Sequence, residues 1–296
     1  MTFSQLEIFV VVAELCGFTL AAQQLGISQS AVSHALKKLE DDLGVSLIER
    51  NKSQAELTVA GIRLLPRARE ILGLSETIRQ ESADIKGLQL GSLRIGSFGP
   101  TSSLRLLPDI LDGYRKQFPN IKVRIDEGND QKVVQWLQER RVDVGFVVLP
   151  DERFDTFALI EDQMVALIPK THSLSKKDKI VLEDLCHVPF ILTEAGSAQL
   201  ISKLFAAEDL IPDIRYRTTQ LMTTIALVAK GEGVALVAEL ALPQALQTDG
   251  YVVRHLSPQY KRIIGLALHS KHQASPATQA FIKMAVKTLK KRNRSN

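Results

Sequence analysis

The 296-residue chain carries two cysteines, one tryptophan and four tyrosines, and aromatic residues make up 5% of it. Each scarcity excludes something. Cys16 and Cys186 are too few for a disulfide framework, and neither has Cys or His neighbours at zinc-ligand spacing. The expectation is two reduced, mostly buried thiols in different domains, with no disulfide inside either domain. Long hydrophobic runs are also missing. The longest, Ile8–Ala13 and Val234–Ala238, fall far short of the about 20 residues a membrane span needs. The start, Met1-Thr2-Phe3-Ser4-Gln5-Leu6-Glu7, has no basic segment followed by an apolar one and a cleavage site, so no export signal is read. The expectation is a cytoplasmic protein with no membrane partner.

A dominant charge is lacking too. Thirty-seven Lys and Arg stand against 33 Asp and Glu, a net charge of +4. Residues 1–90 hold nine basic against eleven acidic residues, a local balance of −2. Much of the excess lies in the C-terminal tail, at Lys283, Lys287, Lys290, Lys291, Arg292 and Arg294. Charge alone would therefore direct a nucleic acid to the wrong end of the chain. What is present is an ordinary globular balance, 45% hydrophobic and 24% charged. A chain of this length divides into two or three domains.

The first sixty residues have the clearest pattern. Ser4-Gln5-Leu6-Glu7 reads as a capping box. Leu6, Phe9, Val10 and Ala13 then repeat on one helix face, and Gly17 ends the run. Thr19 can cap a short second helix, Leu20–Leu25, stopped by Gly26. Ser28 is a good cap for a third, Gln29–Leu43, stopped by Gly44. Two short helices around a Gly-containing turn form a helix-turn-helix pattern. Val32, Leu36, Leu39 and Leu43 give the third helix its apolar stripe. Another face carries Gln29, Ser30, Ser33, His34 and Lys37, donors and acceptors of the reach that major-groove base edges require. A solvated polar face is the plain alternative. Leu47–Ser53 and Glu56–Thr58 read as two short strands around a polar tip, with Arg50 and Lys52 placed to meet phosphate or the minor groove.

The stretch Phe18-Thr19-Leu20-Ala21-Ala22-Gln23-Gln24-Leu25-Gly26-Ile27-Ser28-Gln29-Ser30-Ala31-Val32-Ser33 continues through Leu36, Leu39-Glu40 and Leu43-Gly44 to Leu57-Thr58-Val59-Ala60-Gly61. It resembles the LysR-type transcriptional regulators, and the length and element order of the remainder also fit that family. The resemblance implies a regulator that reads an interrupted palindrome of double-stranded DNA, with Gln29, Ser30 and Ser33 matching base-approaching positions and Arg50 the wing arginine. It departs from the family at His34, where Arg or Lys is usual, and at Ile48, where Phe is usual. The first puts a titratable imidazole where relatives carry a fixed charge.

Thr58 can cap a long helix reaching about Gly87. Leu64, Ile71, Ile78 and Ile85 recur every seven residues, with Ala68, Ser75 and Ser82 four residues after the first three of them. A helix this long cannot bury such a stripe by itself, so the stripe reads as a dimer seam, packing on its own domain being the alternative. Pro66 removes one backbone hydrogen bond and should kink the helix locally. A dimer supplies the two-fold symmetry that half-site reading needs, and the resemblance implies a homotetramer.

From Leu93 onward, strands and helices alternate, which predicts α/β lobes around a largely parallel sheet. The assembled expectation is a winged helix-turn-helix over residues 1–58, a linker helix over 59–88 and a two-lobed domain over 89–296. Lobe 1 takes about 92–162 and 266–296, and lobe 2 about 163–265, with a hinge near Asp162 and Gly265. The return of the last elements to lobe 1, and the periplasmic-binding-protein-like fold, are what the resemblance implies. Loops at strand ends gather hydroxyls and helix N-termini. Ser97, Thr101, Ser102, Asn129, Thr193 and Thr219 are the candidate effector contacts, with Phe146 and Val147 as an apolar wall. N-capping alone would also explain the polar ones. No dense basic cluster lines these loops, so a small, partly apolar effector is expected, with no cofactor and no metal.

Two other classes compete. An enzyme would need chemistry that is not visible: there is no nucleophile elbow, Walker loop, metal-ligand spacing or GxGxxG. His34, His172, His187, His255, His269 and His272 pair with no evident nucleophile in sequence. An exported solute-binding protein would suit the last 200 residues but not the first 60. The basic tail reads as a solvated helix end, with RNA polymerase or DNA as alternative partners.

Overall fold

Thr2, not Ser4, starts the first helix, α1 (Phe3–Leu15). The Thr2 hydroxyl accepts from the Gln5 amide at 3.3 Å and the Gln5 side chain accepts from the Thr2 amide at 2.7 Å. Thr-x-x-Gln and Ser-x-x-Glu are both capping boxes here. The earlier one wins and puts Ser4 inside the helix. Cys16 caps the far end in the left-handed region (φ 49°), which leaves it exposed rather than buried as expected. Cys186 is half-buried, and burial pushes its thiol pKa up. The second helix, α2 (Phe18–Leu25), begins directly after Gly17 with no side-chain cap, so Thr19 lies within it and caps nothing. The third, α3 (Gln29–Leu43), starts and ends where its signals place it. Ser28 accepts from the Ala31 amide at 3.1 Å, and Gly44 closes it at φ 69°.

The computed structural model describes residues 1–49, 54–86, 90–195, 197–243 and 250–292. It divides into one unit of Met1–Gly91 with Gln138–Arg141 and Gln273–Pro276, and a second of Ser92–Leu137, Val142–His272 and Ala277–Asn296. The core of the first packs Leu6, Phe9, Val12, Ala21, Val32, Leu36, Leu39, Leu47 and Leu65. Strands β1 (Ile48–Glu49) and β2 (Glu56–Leu57) pair antiparallel as the base of a wing. Glu40 is buried at the inner face of α3. Its carboxylate accepts from the amides of Leu47 at 2.7 Å and Ile48 at 3.2 Å, fastening the wing to the helix.

Helix α4 (Val59–Ile85) runs through Pro66 and is capped by Thr58, which accepts from the Gly61 amide at 2.9 Å. Its first half packs on α1 through Leu65 and Ala68, and the buried Arg69 pairs with Glu14 at 3.3 Å. Further along, Ile71, Ile78 and Ile85 are 36%, 67% and 88% exposed, so the heptad stripe faces outward on the single chain.

The glycines of α4 give a test with opposite signs. Glycine inside a helix costs about 1 kcal/mol relative to alanine, so replacement should ordinarily stabilise. A Cβ on Gly73 meets nothing within 4 Å, whereas one on Gly61 would sit 2.1 Å from the Leu47 carbonyl oxygen. Gly73→Ala should raise stability by about 0.5–1 kcal/mol. Gly61→Ala should lower it by about 2 kcal/mol or more, since backbone must move. Urea titration of the two variants checks both signs.

The second unit is built on a sheet ordered β4-β3-β5-β12-β6-β11-β7, with β10 also on β6. Its strands are β3 (Gly91–Phe98), β4 (Ile121–Gly128), β5 (Val144–Leu149), β6 (Asp155–Pro169), β7 (Lys179–Ile180), β8 (Phe190–Thr193), β9 (Ile214–Thr218), β10 (Ala235–Ala238), β11 (Tyr251–Leu256) and β12 (Lys261–Leu268). Its helices are α5 (Leu107–Gln117), α6 (Asp130–Gln138), α7 (Ala198–Ala207), α8 (Leu221–Ala229) and α9 (Pro276–Arg292). A π-helical turn, Thr101–Leu106, precedes α5.

The sheet is mixed rather than largely parallel. Within it β3 and β5 are parallel, as are β7 and β11, but β12 runs antiparallel to both β5 and β6, and β10 and β11 antiparallel to β6, while β8 and β9 pair parallel in a separate two-stranded sheet. The cause is the long strand β6. Its first part, Asp155–Gln163, pairs with β12, and from Met164 it pairs with β10 instead, so one strand serves both lobes. β12 shifts register between Ile264 and Gly265 as it runs back. Helix α9 packs on α5, where Tyr114 lies edge-on to Phe281 at 5.5 Å and donates to the Ala277 carbonyl at 3.0 Å. The second lobe has its own core, from Met164 through Phe190, Phe205 and Val228 to Leu256.

Candidate functional site

Two sets of side chains stand out, one in each unit. On α3 Val32, Leu36 and Leu39 of the expected apolar stripe are buried, which turns the opposite face outward, while Leu43 at the end of the helix is exposed. Gln29, Ser30, His34 and Lys37 are exposed there, and Ser33 is half-buried. Ser28 and Ser30 share a hydroxyl–hydroxyl bond of 2.9 Å at the first turn. The helix N-terminus adds partial positive charge and free amides beside them. This face offers hydrogen-bonding groups of short and medium reach on a rigid rod, with no acidic residue in its first turn. Arg50 and Lys52, the expected wing contacts, lie outside the described residues.

In the second unit, the paired strands β6 and β12 carry a buried ion pair. Asp162 on β6 and Arg262 on β12 are direct cross-strand partners. Their side chains are 0% and 2% exposed. The Arg262 Nε and Nη2 donate to Asp162 Oδ2 at 2.9 and 2.8 Å. The other carboxylate oxygen, Oδ1, accepts from the amides of Gln163 at 2.8 Å and Leu240 at 3.0 Å. The guanidinium then reaches into both lobes. Nη2 donates to Thr101 Oγ1 at 3.0 Å and Nη1 to Ser197 Oγ at 3.2 Å.

The structure sorts the sequence candidates. Thr101 is buried and joined to this cluster. Ser97 is fully buried and bonds to Ser102 at 3.0 Å and Ser103 at 2.9 Å. Ser102 is occupied with closing its own turn: its hydroxyl accepts from the Phe98 amide at 2.9 Å and donates to the Phe98 carbonyl. Asn129 is exposed and accepts from the Lys132 amide at 2.8 Å, which makes it the cap of α6. Phe146 and Val147 are buried in β5, opposite Leu266 and Gly265 of β12. Thr193 is buried at the end of β8, its hydroxyl 3.4 Å from the Ala195 amide. Thr219 is exposed, whereas its neighbour Thr218 is buried and bonds to Thr224 at 2.5 Å.

Sequence reading does not single out Arg262 or Ser197, and takes Asp162 only as a hinge marker. The available signal is a pair of like charges beginning each of two apolar strand runs, Glu161-Asp162 before Met164–Ile168 and Lys261-Arg262 before Ile263–Leu268, with opposite sign in the two. Charges in such positions are buried only when paired. Among the described residues no group of three or more His, Cys, Asp or Glu is placed to hold a metal ion, and no described helix is long and apolar enough to cross a membrane.

Comparison with known proteins bears on both units. The family model for the LysR substrate binding domain matches residues 86–290, and that for the bacterial regulatory helix-turn-helix protein, lysR family, matches residues 3–62. The chain is 35% identical over 286 residues to the probable HTH-type transcriptional regulator LrrA of Synechococcus elongatus, covering 95% of each. It is 33% identical over 286 residues to the uncharacterized HTH-type transcriptional regulator YvbU of Bacillus subtilis, covering 96% of this chain and 98% of that one. In fold it is similar to a full-length OxyR variant from Pseudomonas aeruginosa, with a TM-score of 0.74 at 24% identity over 98% of this chain and 97% of the other. The chain thus belongs to the LysR family of bacterial helix-turn-helix transcriptional regulators: it is a DNA-binding regulator with an effector-binding domain.

Proposed function

We propose that α3 reads base edges of an interrupted palindrome through Gln29, Ser30 and Ser33, with His34, Lys37, Arg50 and Lys52 on bases or phosphate. The observation that carries this reading is the face of α3 itself, exposed and free of acidic residues in its first turn, on a helix whose opposite stripe is buried. The outward stripe Ile71, Ile78 and Ile85 supports a dimer through α4. Two dimers then form the homotetramer that presents paired recognition helices.

A small-molecule effector enters between the lobes of the second unit, near Thr101 and Thr193, and shifts the lobe angle. Ser97, Ser102, Asn129 and Thr219 shape the loops around it, and Phe146 and Val147 back it. The effector needs different affinity for two lobe arrangements in order to change DNA binding or contact with RNA polymerase. The protein acts in the cytoplasm as a regulator and not as an enzyme, without cofactor or metal.

The effector half of this reading has a direct test. Footprints of the purified protein on its operator should change in length or periodicity when a deproteinised small-molecule extract of the host cells is added. Footprints unchanged by any fraction of that extract would contradict it.

A further inference from the structure

We propose that the effector-binding unit has a DNA contact of its own: the exposed lysine stripe Lys283, Lys287 and Lys290 of α9, which binds the phosphate backbone of duplex DNA without reading its sequence. This goes beyond the recognition helix and holds whichever residues of α3 read bases.

Charge is distributed unevenly along the chain. After Asp249 there are ten Lys and Arg and no Asp or Glu, whereas the residues up to it hold 27 Lys and Arg against 33 Asp and Glu. Helix α9 lies within that acid-free segment. Its inner face, Ala277, Phe281, Ile282, Ala285 and Leu289, is buried, and Phe281 is held edge-on to Tyr114 of α5. With that face fixed, Lys283, Lys287 and Lys290 come out exposed. At 3.6 residues per turn and 1.5 Å per residue they fall within about 60° of the helix circumference, in a row about 10 Å long. On α5, against which α9 packs, Asp112 is taken by Lys116 at 2.7 Å. Among the described residues no ion pair includes Lys283, Lys287 or Lys290.

Helix-end stabilisation does not account for the stripe. Cations are favoured in the last turn of a helix, and in α9 (Pro276–Arg292) that covers only Lys290 of the three. Lys283 and Lys287 are like charges four residues apart, an arrangement that destabilises a helix. A solvated face ordinarily interleaves both signs. This one carries a single sign, and a bound polyanion would relieve the repulsion.

The make-up of the face selects the polyanion. Protein partners dock through aromatic and other apolar anchors, and lysine is depleted in the cores of their interfaces. Among the described residues, no exposed large apolar side chain lies on α9. Met284, Val286 and Thr288, between the lysines, are half-buried. Lysine meets phosphate as a point charge, and a duplex presents one charge about every 1.7 Å of its axis. A DNA-binding regulator meets that surface whenever it occupies a site.

The test is the salt dependence of binding to a scrambled duplex that carries no operator. It compares the full chain with K283Q/K287Q/K290Q and with K122Q/K132Q/K203Q, which removes the same charge from exposed lysines elsewhere in the unit. Each phosphate contact contributes about 0.9 to the slope of log affinity against log salt, so loss of the stripe should make the slope shallower by about 2–3. The control should leave it nearly unchanged. In the α9 variant, operator and scrambled duplexes should lose affinity alike, so their ratio stays that of the parent chain, unlike in Gln29→Ala with Ser33→Ala. Its Tm should not fall, because all three side chains are exposed. An unchanged slope in the α9 variant, an equal change in the control, or a lost operator preference would each overturn the proposal. Poly-L-glutamate that binds the parent chain as tightly as the duplex, and fails to bind the α9 variant, would assign the stripe to an acidic protein and overturn it as well.

Discussion

Asp162→Ala should lower the stability of the effector-binding unit by about 3–5 kcal/mol, because it leaves the Arg262 charge buried without its partner. It also strips acceptors from the Gln163 and Leu240 amides, which bond to the same carboxylate. For a domain of about 150–250 residues that is a fall in Tm of about 6–20 °C, read by calorimetry on the full chain. Replacing both members by apolar residues of similar volume, Asp162→Leu with Arg262→Met, should recover part of the loss, since the pair's desolvation cost disappears with it. A loss below about 1 kcal/mol in the single variant would mean that the pair is hydrated in solution and is not a structural hinge. The pair therefore ties β12 to the long strand β6 at the point where β6 turns from pairing with β12 to pairing with β10.

Changes on α3 should have the opposite character, with large effects on DNA and almost none on Tm. Gln29 is exposed and Ser33 half-buried, so Gln29→Ala with Ser33→Ala should leave unfolding within about 0.5 kcal/mol of the parent. Each good base contact discriminates by about 1–3 kcal/mol, so operator affinity should fall about 100-fold or more while affinity for random DNA is retained. Lys37→Ala should behave differently. A phosphate contact weakens binding evenly across sequences, and its loss reduces the salt slope by about 1. Titrations of operator and scrambled duplexes at several salt concentrations separate the two kinds of contact.

The sequence is most legible where a local signal has no competitor. Ser28, the stripe Val32–Leu36–Leu39 and Gly44 all place α3 in the same frame, and α3 lies there. The start of α1 is easily misread because two capping-box patterns overlap within six residues, and the earlier one, with Thr2 and Gln5 bonded reciprocally, is the one that forms. The mixed sheet is hidden for a different reason. Alternating strands and helices suggest parallel pairing, but direction depends on where β6 and β12 cross between lobes, which no local pattern encodes. β11 gives little signal because Val252 and Val253 are followed at once by Arg254 and His255, leaving too short an apolar run. The hinge pair is the extreme case. Asp162 and Arg262 are 100 positions apart and meet only through the register of two strands. Candidate effector loops can be found as polar strand ends, but not which hydroxyl faces inward: Thr218 and Thr219 are adjacent and alike in chemistry, yet only the first is buried.

The most direct measurement of the central claim is genome-wide footprinting of the purified protein beside its Gln29→Ala/Ser33→Ala variant. The account predicts discrete, interrupted palindromic sites for the parent protein and their loss in the variant, with weak salt-sensitive background binding common to both. Diffuse binding by the parent protein, unchanged in the variant, would contradict the assignment of α3 as the helix that reads sequence.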